Sequence, residues 1–332
     1  MAHLLLCEVQ TLTINLNLNH ENKTAEVTNN TSNDYSNVIT IPSSVIYNNE
    51  TYNVTSIGIS AFSRCSSLTS IEIPNSVTSI GASVFTSCAA LTQIYWNAIN
   101  HKNFNSSNSP FKNIASQITS FSFGDSVQHI PSWLLAGINK LTSITISSNI
   151  QSIGDNNNID SLQEIRFNIN TLEDFINSSI NKLCWEKING YCARKLFKEN
   201  IEVTEIIIPE TFTSIPEYTF TNCSALTSVT IPNNVTSIGR CAFQNCSSLT
   251  SIEIANGVTS IEFNAFNKCE SLTSIVIPSN ITEIQGNAFT GCSSLTSVHW
   301  NAKNCNDFNW SSPFNNVASQ IISFTFGDSV QH

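Results

Sequence analysis

The sequence has few charged residues and no long apolar run. Only 11% of its 332 residues are charged, with 14 basic residues against 24 acidic ones. A nucleic-acid-binding protein needs a basic surface, so this balance argues against nucleic acid as a partner. No stretch approaches the roughly 20 consecutive apolar residues of a membrane-spanning helix. The composition therefore predicts a surface built mainly of Ser, Thr and Asn.

Catalytic motifs are also lacking. The six histidines are scattered, and the sequence has no nucleophile elbow, phosphate-binding loop or His-Glu metal motif. We therefore expect a protein that is not an enzyme and that has no cofactor and no metal ligands. The apolar run Leu4–Cys7 is too short for the central region of a signal peptide, and no Lys or Arg precedes it.

One template recurs along most of the chain. It reads V-T-x-I-G-x-x-A-F-x-x-C-x-x-L-T-S-I-x-I-P and is clearest in Val54–Pro74, Val235–Ile254 and Val258–Pro278, with most copies 23 residues apart. A fixed period in this range predicts a solenoid, in which each repeat is one supersecondary unit stacked on its neighbours.

Each part of the template predicts one element of a turn. In L-T-S-I-x-I the first, fourth and sixth residues point inward from a strand, and the following Pro ends it. V-T-x-I-G predicts a second short extended segment, with the Gly at positive φ. A-F-x-x-C predicts one helical or 3₁₀ turn. The sequence thus predicts an α/β leucine-rich-repeat solenoid of ~23-residue units, with parallel strands, mostly strand and loop and little helix.

Two columns of identical residues follow from the template. Six phenylalanines predict an aromatic stack in the core: Phe62, Phe85, Phe220, Phe243, Phe266 and Phe289. Six cysteines share another position: Cys65, Cys88, Cys223, Cys246, Cys269 and Cys292. A metal ladder or a disulfide stack would place cysteines in this way. Because Ile138 occupies the same position in one turn, buried thiols that pack as small apolar residues are the favoured interpretation.

A longer repeat contains the short one. The passage at residues 95–129 recurs at 299–332, which defines a superrepeat of about 200 residues. We expect four segments: a β cap at 1–53 with a hairpin of Thr11–Leu18 and Thr24–Thr28, a first solenoid half at 54–170, an interruption at 171–202 with a short helix in Leu172–Leu183, and a second half at 203–332. The chain stops in the middle of a repeat, so we expect a fragment of a longer protein.

The repeat unit resembles the BspA-like leucine-rich-repeat family of bacterial surface proteins. Val235–Ile254, VTSIGRCAFQNCSSLTSIEI, carries the whole unit. The lead-in Lys23–Thr28 with Ile39–Val45 resembles the N-terminal cap of such proteins from Bacteroides-like bacteria, as does the interruption from Leu172 to Pro209. The resemblance implies an extracellular or cell-surface protein, adhesin-like, that binds host or neighbouring-cell proteins, with host extracellular-matrix and mucin proteins as candidate partners.

Variable positions on the strands are the candidate partner-binding sites. The residue before the last apolar position of the strand differs from turn to turn, and the candidates are Glu72, Tyr95, Arg166, Glu253 and His299. The alternative is that each is an ordinary solvated strand residue. The most favoured function is a protein-binding module. The second is a structural spacer that presents another domain away from the cell surface.

Two other patterns have a structural and a functional interpretation. The template's two Thr columns could bind ice or a glycan, although Thr also suits an exposed strand. Asp155–Asp160, DNNNID, hints at a calcium loop, but Ile159 stands where an oxygen ligand is expected, which favours a plain turn.

Overall fold

The computed structural model is a mostly-strand β-solenoid of about 12 turns, and 7% of it is helical. It describes residues 4–9, 12–29, 35–178, 180–306 and 312–328, with side chains from Ile14 onward. Thr11, the side chain of Cys7 and the final residues 329–332 of the repeated passage therefore lie outside the described residues. Two compact units divide the chain: Met1–Ile165 with Leu183–Gly190, and Arg166–Lys182 with Tyr191–His332.

The described residues of the first unit form thirteen strands and one 3₁₀ turn, Ala115–Gln117. The strands are β1 (Leu4–Val9), β2 (Leu12–Asn19), β3 (Thr24–Val27), β4 (Asn37–Thr40), β5 (Ser44–Tyr47), β6 (Glu50–Ile57), β7 (Leu68–Ile73), β8 (Ser79–Ile80), β9 (Gln93–Trp96), β10 (Ser120–Phe123), β11 (His129–Ile130), β12 (Ser143–Ser147) and β13 (Ser152–Ile153).

Strands from successive turns pair in parallel and build two kinds of ladder. The long ladder of the first unit has the order β12-β10-β9-β7-β4. Short two-residue strands from the V-T-x-I segment form the second kind, as where β11 pairs with β13. The predicted inward positions are confirmed, because Leu68, Ile71 and Ile73 are fully buried.

The N-terminal hairpin predicted from the sequence is present. β2 and β3 pair antiparallel around the turn after Asn19, and β1 pairs antiparallel with β2. β3 then pairs in parallel with β6, whose last residues begin the first repeat and pair with β8 of the second. The hairpin thus continues directly into the repeats through backbone hydrogen bonds.

From Glu164 onward, the part of the chain that the structure describes forms two helices and thirteen further strands, with one 3₁₀ turn at Ala318–Gln320. They are β14 (Glu164–Asn168), α1 (Leu172–Ser178), α2 (Ile180–Lys187), β15 (Ala193–Lys198), β16 (Ile201–Glu202), β17 (Glu205–Ile207), β18 (Ser214–Ile215), β19 (Ser228–Ile231), β20 (Ser237–Ile238), β21 (Ser251–Ile254), β22 (Ser260–Ile261), β23 (Ser274–Ile277), β24 (Glu283–Ile284), β25 (Ser297–Trp300) and β26 (Ser323–Phe326).

The second unit repeats the two-ladder design. Its long strands form the ladders β17-β19-β21 and β23-β25-β26, and its short strands form β18-β20-β22-β24. The helix predicted within Leu172–Leu183 is present as two helices. The first is capped by Thr171, the residue before it, whose Oγ1 accepts a hydrogen bond from the backbone N–H of Asp174 at 3.0 Å. β15 and β16 form a hairpin across Glu199 and Asn200, both at positive φ.

The predicted phenylalanine stack runs through the core. In the second unit, each ring lies parallel to the next, with centroids 5.2 Å apart for Phe220 and Phe243 and 5.3 Å apart for Phe243 and Phe266. Phe289 and Phe314 continue the stack. Offset stacking adds about 0.5–1.5 kcal/mol per pair beyond the burial of apolar area.

The structure corrects two details of the turn. The segment A-F-x-x-C forms hydrogen-bonded turns without helix. The prediction that the template Gly has positive φ is wrong, because the positive φ falls two residues later, as at Ser60, Ser83 and Cys241. The glycine instead allows close packing of successive turns, since a Cβ on Gly81 would lie 2.6 Å from the backbone nitrogen of Ile59.

Candidate functional site

The outward-facing residues of the long ladders vary from strand to strand. Between the buried fourth and sixth residues of L-T-S-I-x-I, the fifth residue points away from the core. We call these residues the fifth-position column. In the first unit the paired strands place there Thr40, Glu72, Tyr95, Ser122 and Thr145. In the second unit, the two long ladders contribute Ile207, Thr230 and Glu253, and Val276, His299 and Thr325.

Two of the predicted site residues, Glu72 and Tyr95, are neighbours in the first unit. They pair directly across the parallel strands β7 and β9, which places their backbones about 4.8 Å apart. The Glu72 carboxylate accepts two hydrogen bonds, from Asn97 Nδ2 at 2.9 Å and from Thr40 Oγ1 at 3.3 Å. The Tyr95 side chain is 42% exposed. The structure therefore places a positioned carboxylate beside an accessible aromatic ring.

Glu72 and Tyr95 line one open pocket of about 190 Å³. The other lining residues are Val38, Thr40, Asn97, Ser122, Phe123 and Gly124. Of these described lining residues, Glu72 alone carries a charge. Gly124 is needed for the shape of the pocket, because a Cβ there would come within 2.0 Å of Asn97 Oδ1.

The second copy of the superrepeat builds the same backbone arrangement with different side chains. A Cβ on Gly327 would come within 2.1 Å of Asn301 Oδ1, which matches the relationship between Gly124 and Asn97. Val276 and His299 pair across β23 and β25 at the places of Glu72 and Tyr95. The His299 ring nitrogen Nδ1 lies 2.6 Å from Thr325 Oγ1. This copy therefore has no carboxylate where the first has Glu72.

The remaining predicted residues, Glu253 and Arg166, also belong to the second unit. Glu253 is exposed on β21 and pairs with Thr230. Val276 on β23 separates the strand of Glu253 from that of His299, so these two predicted residues are not direct neighbours. Arg166 lies on β14, with its guanidinium 5.1 Å from the centroid of the Phe197 ring, a cation–π contact.

The sequence reasoning missed several exposed apolar residues on these ladders, among them Ile207 and Val38. The side chains of Ile207 and Val38 are 74% and 58% exposed. Ile207 pairs with Thr230 in the fifth-position column, and Val38 on β4 lines the pocket of Glu72. Both lie in degenerate copies of the repeat, where the anchor leucine is replaced. Alignment of those copies to the strand motif is the signal that could have identified them.

The aligned cysteines are free, buried thiols, as favoured from the sequence. Each of four donates an S–H hydrogen bond to the carbonyl of a phenylalanine in the preceding turn: Cys88 to Phe62, Cys246 to Phe220, Cys269 to Phe243 and Cys292 to Phe266, with Sγ···O distances of 2.9–3.2 Å. Burial raises the pKa of Cys88, Cys223 and Cys292 to about 12. Within the described residues, no group of three or more His, Cys, Asp or Glu is placed to hold a metal ion.

The two threonine columns connect successive turns. The hydroxyl of Thr259 donates to the carbonyl of Thr236 at 3.0 Å, and that of Thr236 donates to the carbonyl of Thr213. In the other column Thr250 donates in the same way to Thr227. The hydroxyl protons are thus committed to neighbouring backbone, which gives these columns a structural role.

The DNNNID segment is a turn whose polar groups have protein partners. Asn157 is fully buried, and its side chain accepts a hydrogen bond from the Leu135 amide and donates to the carbonyls of Pro131 and Gly154. The Asp155 carboxylate forms an ion pair with Lys187 at 2.8 Å. These contacts agree with the plain turn favoured from the sequence.

Parallel ladders, a 23-residue period and a stacked apolar core define a leucine-rich-repeat protein. A family model described as the BspA type leucine rich repeat region matches residues 32–157 and 186–319 with 6 copies. The chain belongs to this family, which consists of cell-surface or secreted bacterial proteins and is generally non-enzymatic. In the described part of the chain, no helix has both the length and the apolar character needed to cross a membrane.

Several solved bacterial structures are similar to this chain. A leucine rich cell surface protein from Faecalibacterium prausnitzii is 20% identical, with a TM-score of 0.40 over 99% of this chain and 95% of that one. A leucine-rich repeat protein from Bacteroides ovatus is 22% identical, with a TM-score of 0.33 over 88% of each chain. The T. pallidum leucine rich repeat protein is 15% identical, with a TM-score of 0.33 over 80% of this chain and 91% of that one. A comparison with curated proteins found no match.

Proposed function

We propose that this chain is a non-enzymatic binding module, exposed on the cell surface or secreted, that attaches in an adhesin-like way to proteins of a host or of neighbouring cells. The observation that carries the proposal is the fifth-position column. Its backbone is fixed by parallel pairing, while its side chains differ between adjacent paired strands. A surface of this kind can be specific for a partner without any change to the core.

The proposed partners are extracellular-matrix or mucin proteins of a host. The low content of charged residues and the acidic balance support a protein partner over a nucleic acid. The proposed contact residues are Glu72, Tyr95, Arg166, Glu253 and His299. Tyr95 is the strongest anchor among them, because aromatic side chains dominate the energetics of protein interfaces.

Binding to immobilised extracellular-matrix and mucin proteins tests the proposal. We expect saturable binding of the chain to at least one of them, and weaker binding after Tyr95→Ala. Thr145→Ala serves as the matched control, because Thr145 is in the same column of the same unit and is polar and small. The absence of saturable binding to any of these proteins would contradict the proposal.

A structural spacer is the second candidate function. It is favoured by the hydrogen bonds that the threonine hydroxyls donate from turn to turn, since these stiffen a repeat array without serving a ligand. The two functions predict different effects of substitutions in the fifth-position column. Substitutions in the fifth-position column reduce attachment by a binding module, and they have no effect on a spacer.

A further inference from the structure

We infer that the pocket between β7 and β9 binds one basic side chain, a lysine or an arginine, of a protein ligand. The inference rests on the proposed function, because it takes the ligand to be a protein. It adds the chemical class of the group that is recognised and the two residues that recognise it, Glu72 and Tyr95.

The charge of Glu72 is positioned but not neutralised. Both of its hydrogen bonds come from uncharged donors, the Asn97 amide and the Thr40 hydroxyl. The described residues that line the pocket include no Lys, Arg or His. A carboxylate held in a fixed orientation on a half-buried side chain attracts a cation more strongly than a freely solvated one does, because less side-chain entropy is lost on binding and water screens it less.

The Tyr95 ring supplies the second contact. Tyr95 is on the strand next to that of Glu72, and the paired backbones are about 4.8 Å apart. A cation is attracted to an aromatic face when it lies within about 6 Å of the ring centroid. A single ammonium or guanidinium group can therefore contact the carboxylate and the ring at the same time. The exposed Val38 side chain adds apolar surface for the methylene stem of a lysine or arginine.

The same unit already contains a cation held in this way. Lys23 Nζ lies 2.5 Å from Glu50 Oε2 and 5.4 Å from the centroid of the Tyr52 ring. The hydrogen bond between Lys23 and Glu50 raises the pKa of the lysine and lowers that of the glutamate, so each charge favours the other. In this arrangement one carboxylate and one tyrosine contact the same ammonium group.

The second copy of the superrepeat is a natural counterpart without the charge. It keeps the backbone arrangement of Asn301 and Gly327, while Val276 replaces the carboxylate and His299 replaces the tyrosine. The inference therefore predicts that a basic side chain binds at the first copy and not at the second.

Titration of the full chain with short peptides tests this inference. The titration is followed by NMR with ¹³C-labelled tyrosines. The signal that is absent from the spectrum of Tyr95→Phe is assigned to the Tyr95 ring. The probes are acetyl-Gly-Lys-Gly-amide and acetyl-Gly-Arg-Gly-amide, with norleucine and citrulline versions as uncharged controls. We expect saturable shifts of the Tyr95 signal with the two basic peptides and none with the uncharged pair, and we expect the binding to weaken as salt is added.

Two isosteric variants complete the test. Glu72→Gln keeps an oxygen acceptor for Asn97 and removes the charge, and we expect it to weaken binding of the basic peptides roughly tenfold. Glu270→Gln removes an exposed charge that does not line the pocket and should leave binding unchanged. Equal shifts with the uncharged peptides, no saturable shift, or equal effects of the two variants would overturn the inference. If Glu72→Gln fails to fold, calorimetric titration of Tyr95→Leu and of the unchanged chain with the same peptides gives the decision, and equal affinities would overturn the inference.

The peptide titration and the test of binding to extracellular proteins can fail independently of each other. If the basic peptides bind at Tyr95 but no extracellular protein binds the chain, the proposed function is wrong and the side-chain site is real. If an extracellular protein binds the chain with an affinity that Glu72→Gln does not change, the site is not used and the proposed function remains supported.

Discussion

The Cys246 thiol donates a hydrogen bond to the carbonyl oxygen of Phe220 in the preceding turn, over an Sγ···O distance of 3.2 Å. The cysteine column is therefore more than a row of small apolar residues, because each such thiol links two turns. The Phe220 carbonyl also accepts the backbone N–H of Cys223, so it stays partnered if the thiol is lost.

The aligned thiols should resist labelling in the folded protein. All six are buried, and burial raises the pKa of five of them, so these five carry almost no thiolate at neutral pH: Cys88, Cys223, Cys246, Cys269 and Cys292. Cys305 is only half-buried and should react before them. Labelling with a thiol reagent in a Cys7→Ser background, with and without denaturant, measures this. Fast native labelling of most of the six aligned cysteines would contradict the expectation.

Replacing Phe243 by Ala should destabilise the protein by ~3–5 kcal/mol, because it removes a buried ring that stacks on both sides. In a solenoid the loss is concentrated at neighbouring turns. We propose that the interruption at 171–202 separates two halves, so hydrogen exchange should increase first after Val203. If residues 54–170 lost protection from hydrogen exchange to the same extent as the residues after Val203, the two halves would form one cooperative unit. Phe263→Ala, in the next turn and only half-buried, is the control and should cost less.

Replacing Gly81 by Ala should destabilise the first unit by ~1–3 kcal/mol. The new Cβ would meet backbone atoms of Gly58 and Ile59 at 2.6–2.8 Å, and backbone cannot move aside as a side chain can. Gly190→Ala is the control, since its Cβ would lie 3.3 Å from the nearest atoms, all of Trp185. Urea denaturation of both variants compares the free energies of unfolding. Equal midpoints would show that close packing of the turns does not require Gly81.

Acidification should weaken the first unit through His101. Its ring stacks on Phe104 with centroids 4.4 Å apart, its Nδ1–H donates to the Lys102 carbonyl, and its buried Nε2 has no hydrogen-bond partner among the described residues. Burial lowers the pKa of His101 below its ordinary 6.5. The fold thus favours the neutral ring. The stability that depends on the neutral ring is complete above pH 6.5, and it is lost as the pH falls through the lowered pKa of His101 in the folded protein.

Thermal unfolding between neutral pH and about pH 5 tests this dependence. His101→Phe keeps an aromatic ring in the stack and removes the titration, so its Tm should fall less on acidification than that of the unchanged chain. Parallel pH profiles of the two proteins would contradict the role given to His101.

The sequence predicted the core better than the surface. A buried position tolerates few residue types, so Leu68, Phe243 and their equivalents recur with a readable period. The pocket of Glu72 depends on Asn97 and Gly124, which stand 27 residues apart and meet only through the register of β9 and β10. No local pattern shows such a contact. The close approach at Gly81 and the hydrogen bonds that the threonine hydroxyls donate likewise form between successive turns. The sequence shows only that the same residue recurs at each of these positions.

The threonine bonds also affect how the array can change in length. Thr236, Thr259 and Thr282 are each 23 residues from the next, and each hydroxyl bonds only to the adjacent turn. Duplication or deletion of one 23-residue segment in the gene therefore recreates the same contacts at the new junction. Recombination between such near-identical segments can lengthen or shorten the displayed surface by about 4.8 Å per event. The uniform threonines thus let the number of turns vary while the fold of each turn is kept.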